Sequence, residues 1–319
     1  MSNDGTPRYG VDLITFFDPA AWGEPDSAAL AAHADREPLW FWTGVLDRLE
    51  EAGVTVLETT FPPADLITAA RAFGGLDGLR TELDRRGMRV VSEYFGDLEH
   101  ADLAAADIRE RLVEAASAAA ERLAAVGGSF LVAGMPMRRS NTAGDLEPVD
   151  LATLAPIVDD VHAIAEAAAR HGVRLLLHPE SHSTFWTSRD VDLVMLLADP
   201  FLVGLCADTG HLVLGGSDPV AVIERHADRI GLLHWKDAAG RFTEQVPVDA
   251  EVFVRHRPYF RPMGEGIVDW PAVAAALDRA GVTGPVLLEL DAAPDPVARL
   301  VEARRHLDGV FAHHPVTTP

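Results

Sequence analysis

The sequence predicts an α/β protein folded as a single (β/α)8 barrel with long loops on its C-terminal face. Three observations carry that expectation. Eight apolar runs of strand length recur along the chain, with amphipathic helical stretches between them. The runs are continuously apolar rather than alternating, which suits parallel strands buried on both faces. No Gly-rich phosphate fingerprint follows the first run, as it usually does in the open, doubly wound alternative. By length alone the 319 residues would suit two domains, but a closed barrel routinely uses ~250 residues as one. One domain is therefore expected over 1–319, with its core at about 9–310 and a loose tail at 313–319.

The strand runs lie at about 9–16, 54–60, 88–94, 129–134, 173–179, 202–208, 230–235 and 285–290. Four of them are entered in the same way: a helix ends in charge, a glycine follows, and the apolar run begins. Gly53, Gly87, Gly172 and Gly281 are those glycines, and glycine tolerates the left-handed conformation that closes a helix. The Ala-rich stretches 103–126 and 150–170 carry apolar residues at helical spacing, and a last helix near 295–308 follows the final strand. Three connections are long, at roughly 17–38, 135–149 and 236–269. Each follows a strand, which puts it on the face where barrel active sites lie.

Charge and cysteine content narrow the function. There are 27 Lys and Arg against 49 Asp and Glu, a formal net charge of −22. That balance argues against a nucleic acid or an anionic membrane as partner, since both need a basic face. The single cysteine, Cys206, excludes a disulfide framework and any Cys-rich metal site. No apolar run reaches ~18 residues and the first residues lack a signal-peptide pattern, so a soluble, cytoplasmic chain is expected.

Polar residues of a type seldom buried close the apolar runs: Glu58, Glu93, Glu180, Asp208, His234 and Glu289. One such residue is ordinarily a cap or a salt-bridge partner. Several carboxylates converging on one barrel mouth repel one another and lose solvation, so they call for a cation. The segment His178-Pro179-Glu180-Ser181-His182 offers three candidate ligands, and Asp208 is followed three residues later by His211. Carboxylates with imidazoles suit Mg, Mn, Co or Zn. Around them Phe17, Trp235 and other aromatic residues could face a sugar's C–H groups. Arg261 could anchor an anion, as could Arg138 and Arg139, and Glu265 in Gly264-Glu265-Gly266 could cover the site.

In the order Gly204-Leu205-Cys206-Ala207-Asp208-Thr209-Gly210-His211, then Asp228-Arg229-Ile230 with His234-Trp235-Lys236-Asp237, then Met263 to Trp270, the chain resembles the xylose-isomerase-like TIM barrels. These form the sugar phosphate isomerase/epimerase group. The resemblance spans about 9–307 and is greatest to inosose dehydratase-like members.

The resemblance implies one divalent ion, manganese favoured over Mg, Co or Zn, held by Glu180, Asp208, His234 and Glu289. His178 is the alternative to Glu180 as first ligand. It further implies that Glu180 and Glu289 act as an acid/base pair beside the carbonyl of a keto-sugar or cyclitol ketone, and that His178 and His211 contact substrate. Glu58, Glu93, Trp235, Arg261 and Glu265 complete the candidate binding residues. Return of the abstracted proton gives isomerisation or epimerisation; loss of a hydroxyl gives dehydration, for which His211, His182 and Lys236 are the candidate acids. The alternatives are the catalytic subunit of a carbon-glycoside cleaving complex, which would need a small partner subunit, and an inactive sugar-binding barrel. A homo-oligomer is a further expectation from the resemblance.

Overall fold

The computed structural model describes residues 9–312; the tail expected at 313–319 lies outside them. Eight parallel strands close into a barrel: β1 (Tyr9–Asp12), β2 (Val56–Thr59), β3 (Arg89–Phe95), β4 (Phe130–Gly134), β5 (Arg174–His178), β6 (Val203–Asp208), β7 (Ile230–Trp235) and, last in the chain, β10 (Val286–Leu288). The last strand pairs with β1 through Tyr9 opposite Val286, which shuts the barrel. β8 (Asp237–Ala238) and β9 (Phe260–Arg261) form a small antiparallel ribbon inside the long connection after β7.

Alternation along each strand divides the core in two. One set of side chains fills the barrel: Val56, Val132, Leu176, Cys206, Leu232 and Leu287 form a buried layer of their own. Gly10 keeps that layer small on β1, since a Cβ there would stand 2.5 Å from Leu287 Cδ2 and 3.0 Å from Val56 Cβ. The opposite set packs outward against helices α1 (Ser27–Arg36), α2 (Pro38–Ala52), α3 (Leu66–Phe73), α4 (Leu76–Arg86), α5 (Ile108–Ala125), α6 (Leu151–Ala169), α7 (Ser188–Leu197), α8 (Thr209–Leu214), α9 (Pro219–Arg225), α10 (Val252–His256), α11 (Trp270–Ala280) and α12 (Pro296–Phe311). Asp26, Asp65, Asp150, Asp269 and Asp295 cap helix N-termini with their side chains. Gly53, Gly87 and Gly281 close α2, α4 and α11 in the left-handed conformation. None of the helices among the described residues is long and apolar enough to cross a membrane.

Two local departures from the expected elements bear on the site. The first run was expected to stay extended to residue 16, but β1 stops at Asp12, whose carboxylate accepts the Ile14 N–H at 2.7 Å and turns Leu13–Phe16 into a 3-10 helix. The long connection after β7 is not a free loop. Asp237 is buried and gathers it, accepting N–H groups from Gly264 (2.9 Å), Gly266 (3.1 Å) and Val268 (3.3 Å) and from the Trp270 indole (3.1 Å).

Candidate active site

A cavity of about 440 Å³ opens at the C-terminal ends of the strands. Its polar lining comes mainly from strand ends and the residues just after them: Asp12, His178, Glu180, His211, His234, Lys236, Glu289 and Asp291. All of these except Glu289 and Asp291 are buried.

At its centre, His178, Asp208, His234 and Glu289 offer donor atoms that all lie within 4.8 Å of one another. His178 Nε2 is 3.4 Å from Asp208 Oδ2, His234 Nδ1 is 3.9 Å from the same oxygen, and His234 Nδ1 is 2.7 Å from Glu289 Oε2. These same atoms are buried and make no well-aligned hydrogen bond. Buried polar atoms of this kind are rare unless something else satisfies them. Close, inward-facing and misaligned with one another, they fit ligands of one cation: two imidazoles and two carboxylates.

The outer shell holds these groups in place. His234 Nε2 stands 2.9 Å from Glu58 Oε1, and Ser92 Oγ donates to the other oxygen of Glu58. A carboxylate on the far nitrogen fixes the tautomer and orientation of a ligating imidazole. Asp12 completes a second carboxylate–imidazole group with Glu58 and His234; burial, then the charges of Glu58 and Glu289, push its pKa well up. Glu289 gives its other oxygen to Lys236 Nζ at 2.7 Å, and Asp291 Oδ1 is also 2.7 Å from that ammonium. His211 Nε2 takes the third contact, at 3.2 Å. Glu289 and His211 are thus the hydrogen-bond partners of the ammonium, Asp291 adds its charge without an aligned hydrogen bond, and the Phe260 ring lies 3.9 Å away. Burial favours the neutral amine of Lys236, but Asp291, Glu289 and Asp208 outweigh it and hold the pKa well above the usual lysine range. Burial also works against the Glu289 carboxylate, and there Lys236 and His234 prevail, so its pKa lies well below the usual range.

His211 and Glu180 form the other half of the polar lining. His211 is held from both sides: Lys236 Nζ stands 3.2 Å from Nε2, while Nδ1 meets the Ser181 N–H at 3.1 Å and Oγ at 2.8 Å, with Glu180 Oε1 3.1 Å away. Burial, then Lys236 and His178, keep His211 neutral far below the usual histidine range. Burial, then Glu99, raise Glu180 well above the carboxylate range. An imidazole beside a carboxyl can pass a proton to it or take one from it.

The structure brings together Asp208, His234, Glu289, His178, His211, Lys236 and Phe17, and places seven other candidates differently. Glu180 stands outside the four-donor group, and His178 takes its place. His178 ends β5, whereas Glu180 comes two residues later in the turn and faces His211. Glu58 does not line the cavity but supports His234 from behind. Glu93 faces a different cavity with Asp65 and Arg122 between barrel and helices. There burial pushes its pKa to about 7 against the pull of Arg122. β3 carries one extra residue between the partners of Leu57 and Glu58, so Ser92 rather than Val91 meets Glu58 and Glu93 falls on the opposite face. Trp235 stacks on Trp270 at 5.4 Å on the helix side, as strand alternation requires with His234 and Lys236 inside. Arg261 spends its guanidinium on the carbonyls of Pro258 and Phe260. Glu265 is exposed, turned outward by the two glycine N–H groups that bind Asp237 on either side of it.

His182, expected as an acid, does not line the cavity. It adopts φ +67°, stacks on Trp186 at 4.5 Å and meets His256 at 2.8 Å. His256, on α10, is the residue that reaches the cavity. Burial holds His182 down at about 4 and His256 at about 3.

Sequence reasoning missed Asp12, Asp291 and His256. Asp12 does close an apolar run, a signal hidden by reading that run through to residue 16. Asp291 follows Glu289 at the two-residue spacing that returns a side chain to one face. His256 carries no local signal, because only the folding of the long connection brings it to the mouth.

Comparison with known proteins agrees with this architecture. The sequence profile described as xylose isomerase-like TIM barrel matches residues 46–309. The chain is similar to the inosose dehydratase of Lacticaseibacillus casei, 28% identical over 153 residues, which is 46% of this chain and 51% of that protein. It is also similar to the inosose dehydratase of Geobacillus kaustophilus (strain HTA426), 31% identical over 163 residues, 49% of this chain and 53% of that protein. The chain thus spans about half the length of the curated relatives it matches. Among solved structures, the IOLI protein with a bound zinc atom superposes with a TM-score of 0.68 at 15% identity, covering 96% of this chain and 99% of that one. That likeness is one of fold.

Proposed function

The chain belongs to the xylose isomerase-like TIM barrel family, and from that premise we propose that it is a divalent-metal-dependent enzyme that removes the proton beside the carbonyl of a keto-sugar or cyclitol ketone. The observation that carries this reading is the convergence of four buried donor atoms, from His178, Asp208, His234 and Glu289, on one point of the cavity. Two imidazoles with two carboxylates suit a transition ion, manganese or zinc, better than magnesium. When bound, such an ion polarises the carbonyl and takes up the negative charge that forms as the adjacent proton leaves.

The protein's own groups do the rest. Glu58 and Ser92 fix His234, while Lys236 and Asp291 hold Glu289. His211, neutral and facing the cavity, takes or returns a proton, and Glu180 behind its Nδ1 is the second proton site. Return of the proton to carbon gives isomerisation or epimerisation. In dehydration the C–H electron pair forms the new double bond, and the hydroxyl on the next carbon leaves with a proton as water. The similarity to inosose dehydratases favours that last outcome.

Incubating metal-loaded protein with 2-keto-myo-inositol tests the reading. Growth of enone absorbance supports dehydration. An isomeric cyclitol ketone formed without absorbance supports isomerisation or epimerisation. No turnover together with no stoichiometric ion under manganese or zinc loading overturns the proposal.

A further inference from the structure

A second cavity, of about 930 Å³, runs between α3 and α5 over the outer face of β3. Its room comes from Ala115, Ala118 and Ala119 on α5, where longer side chains would fill it. Glu93 stands in its wall, 6% exposed, and Arg122 lines it from α5. Among the described residues neither side chain has a hydrogen-bond or ion-pair partner, and Glu93 Oε2 and Arg122 Nε are buried orphans. Each feels the other's charge without meeting it. The remaining charged groups of the lining are engaged or exposed. Asp65 accepts the Thr68 N–H at 2.7 Å and its hydroxyl at 3.0 Å, and Arg71 pairs with Asp35 at 2.7 Å. Asp97, His100, Asp102 and Arg111 are exposed. A buried carboxyl without a partner is costly and rare. An apolar side chain there would fill the wall with no such cost. A carboxyl and a guanidinium that face one cavity without pairing fit a ligand carrying both opposite charges.

We propose that this second cavity binds a zwitterionic α-amino acid with an aliphatic side chain, its ammonium on Glu93, its carboxylate on Arg122 and its side chain among Phe95, Ala115 and Ala119. The ammonium supplies the donors that Glu93 lacks, and the carboxylate takes up the free fork of Arg122. Phe95 and the alanines of α5 give the side chain an apolar seat. Tyr94, the residue after Glu93, lines both cavities, and its ring meets His178 edge-on at 5.7 Å. The second site thus adjoins the four-donor group without using any of its residues. Binding there requires no metal and none of the chemistry proposed above.

Calorimetry on the full chain at about pH 8, where the Glu93 carboxyl is ionised, provides the test. The probes are glycine, L-alanine, L-valine and L-leucine, with isoamylamine and 4-methylpentanoate as compounds that each lack one charge. L-Valine or L-leucine should bind at least about thirtyfold more tightly than either singly charged compound, and glycine more weakly than both amino acids. Glu93→Gln and Arg122→Gln should each weaken the preferred amino acid by about thirtyfold. The urea midpoint of Glu93→Gln should not fall below that of wild type, because an orphan charge is removed. Should Glu93→Gln fail to fold, Arg122→Gln, at a half-buried helix position, carries the test by itself. Binding of none of the four amino acids overturns the proposal. So does binding that survives the substitutions, because the amino acid then sits elsewhere, and so does a singly charged compound bound as tightly as the amino acids.

Discussion

Replacing Glu58 by Gln isolates the support beneath His234. The side chain is fully buried, with Oε1 at 2.9 Å from His234 Nε2 and the other oxygen accepting from Ser92. Glutamine keeps the shape and one acceptor but removes the charge. His234 Nε2 and Glu58 Oε1 are close without being aligned as a hydrogen bond, so the support is chiefly a carboxylate held against the imidazole. It acts on metal binding because a more basic, correctly oriented imidazole is the better ligand, and loss of such a support typically costs about 10–100-fold. The assay is titration of metal-free protein with manganese or zinc against a competing chelator, with urea denaturation of the metal-free forms as a control. The variant should bind about tenfold more weakly, its metal-free stability within about 1 kcal/mol of wild type. Unchanged affinity would refute the assignment of Glu58 as the support of a ligand. Equal losses of affinity and metal-free stability would show a purely structural role.

Three further outcomes follow from the geometry. Asp237→Asn replaces an acceptor of several N–H groups by a side chain that is half donor; it should lower stability by about 2–4 kcal/mol and open 239–269 to proteolysis, and wild-type resistance would contradict the hub role. Gly10→Ala drives a methyl to 2.5 Å from Leu287 Cδ2; thermal denaturation should show a loss of about 1–3 kcal/mol. The buried histidine pair predicts acid lability. His182, beside Arg138 and His256, is held at about 4, and His256, beside His182, Lys236 and Arg255, at about 3. The unfolded chain takes up these protons near pH 6.5, so stability is complete above that pH and falls as pH drops toward 4. The depression at His182 alone corresponds to on the order of 3 kcal/mol. Urea midpoints measured downward from about pH 7.5 should decline less in His182→Asn, whose side chain tolerates the left-handed backbone there; an identical decline would refute the assignment.

Much of the fold is legible because barrel strands are local and repetitive. Each apolar run, entered through a helix-closing glycine such as Gly53 or Gly281, names its own strand. The ends were less legible: β1 yields at Asp12 to a side-chain cap, and one extra residue in β3 turns Glu93 away from the site. The strand-end members of the four-donor group, Asp208 and His234, are readable for the same local reason. Their neighbours were not. Trp235 and Glu93 look like mouth residues until strand parity and register put them behind the barrel wall.

From the sequence alone follow the (β/α)8 class, the acidic balance that argues against nucleic acid, and a short roster of strand-end acids and histidines. Those depend on composition and on periods of two and 3.6, which are written locally. Only the tertiary structure decides that His178 rather than Glu180 joins the four-donor group, and that Asp12, Asp291 and His256 reach the mouth. Barrel closure brings together strands from the two ends of the chain, as where Tyr9 pairs with Val286, and the folding of the connection after β7 brings in His256. Convergence of that kind leaves no trace in the spacing of neighbouring residues.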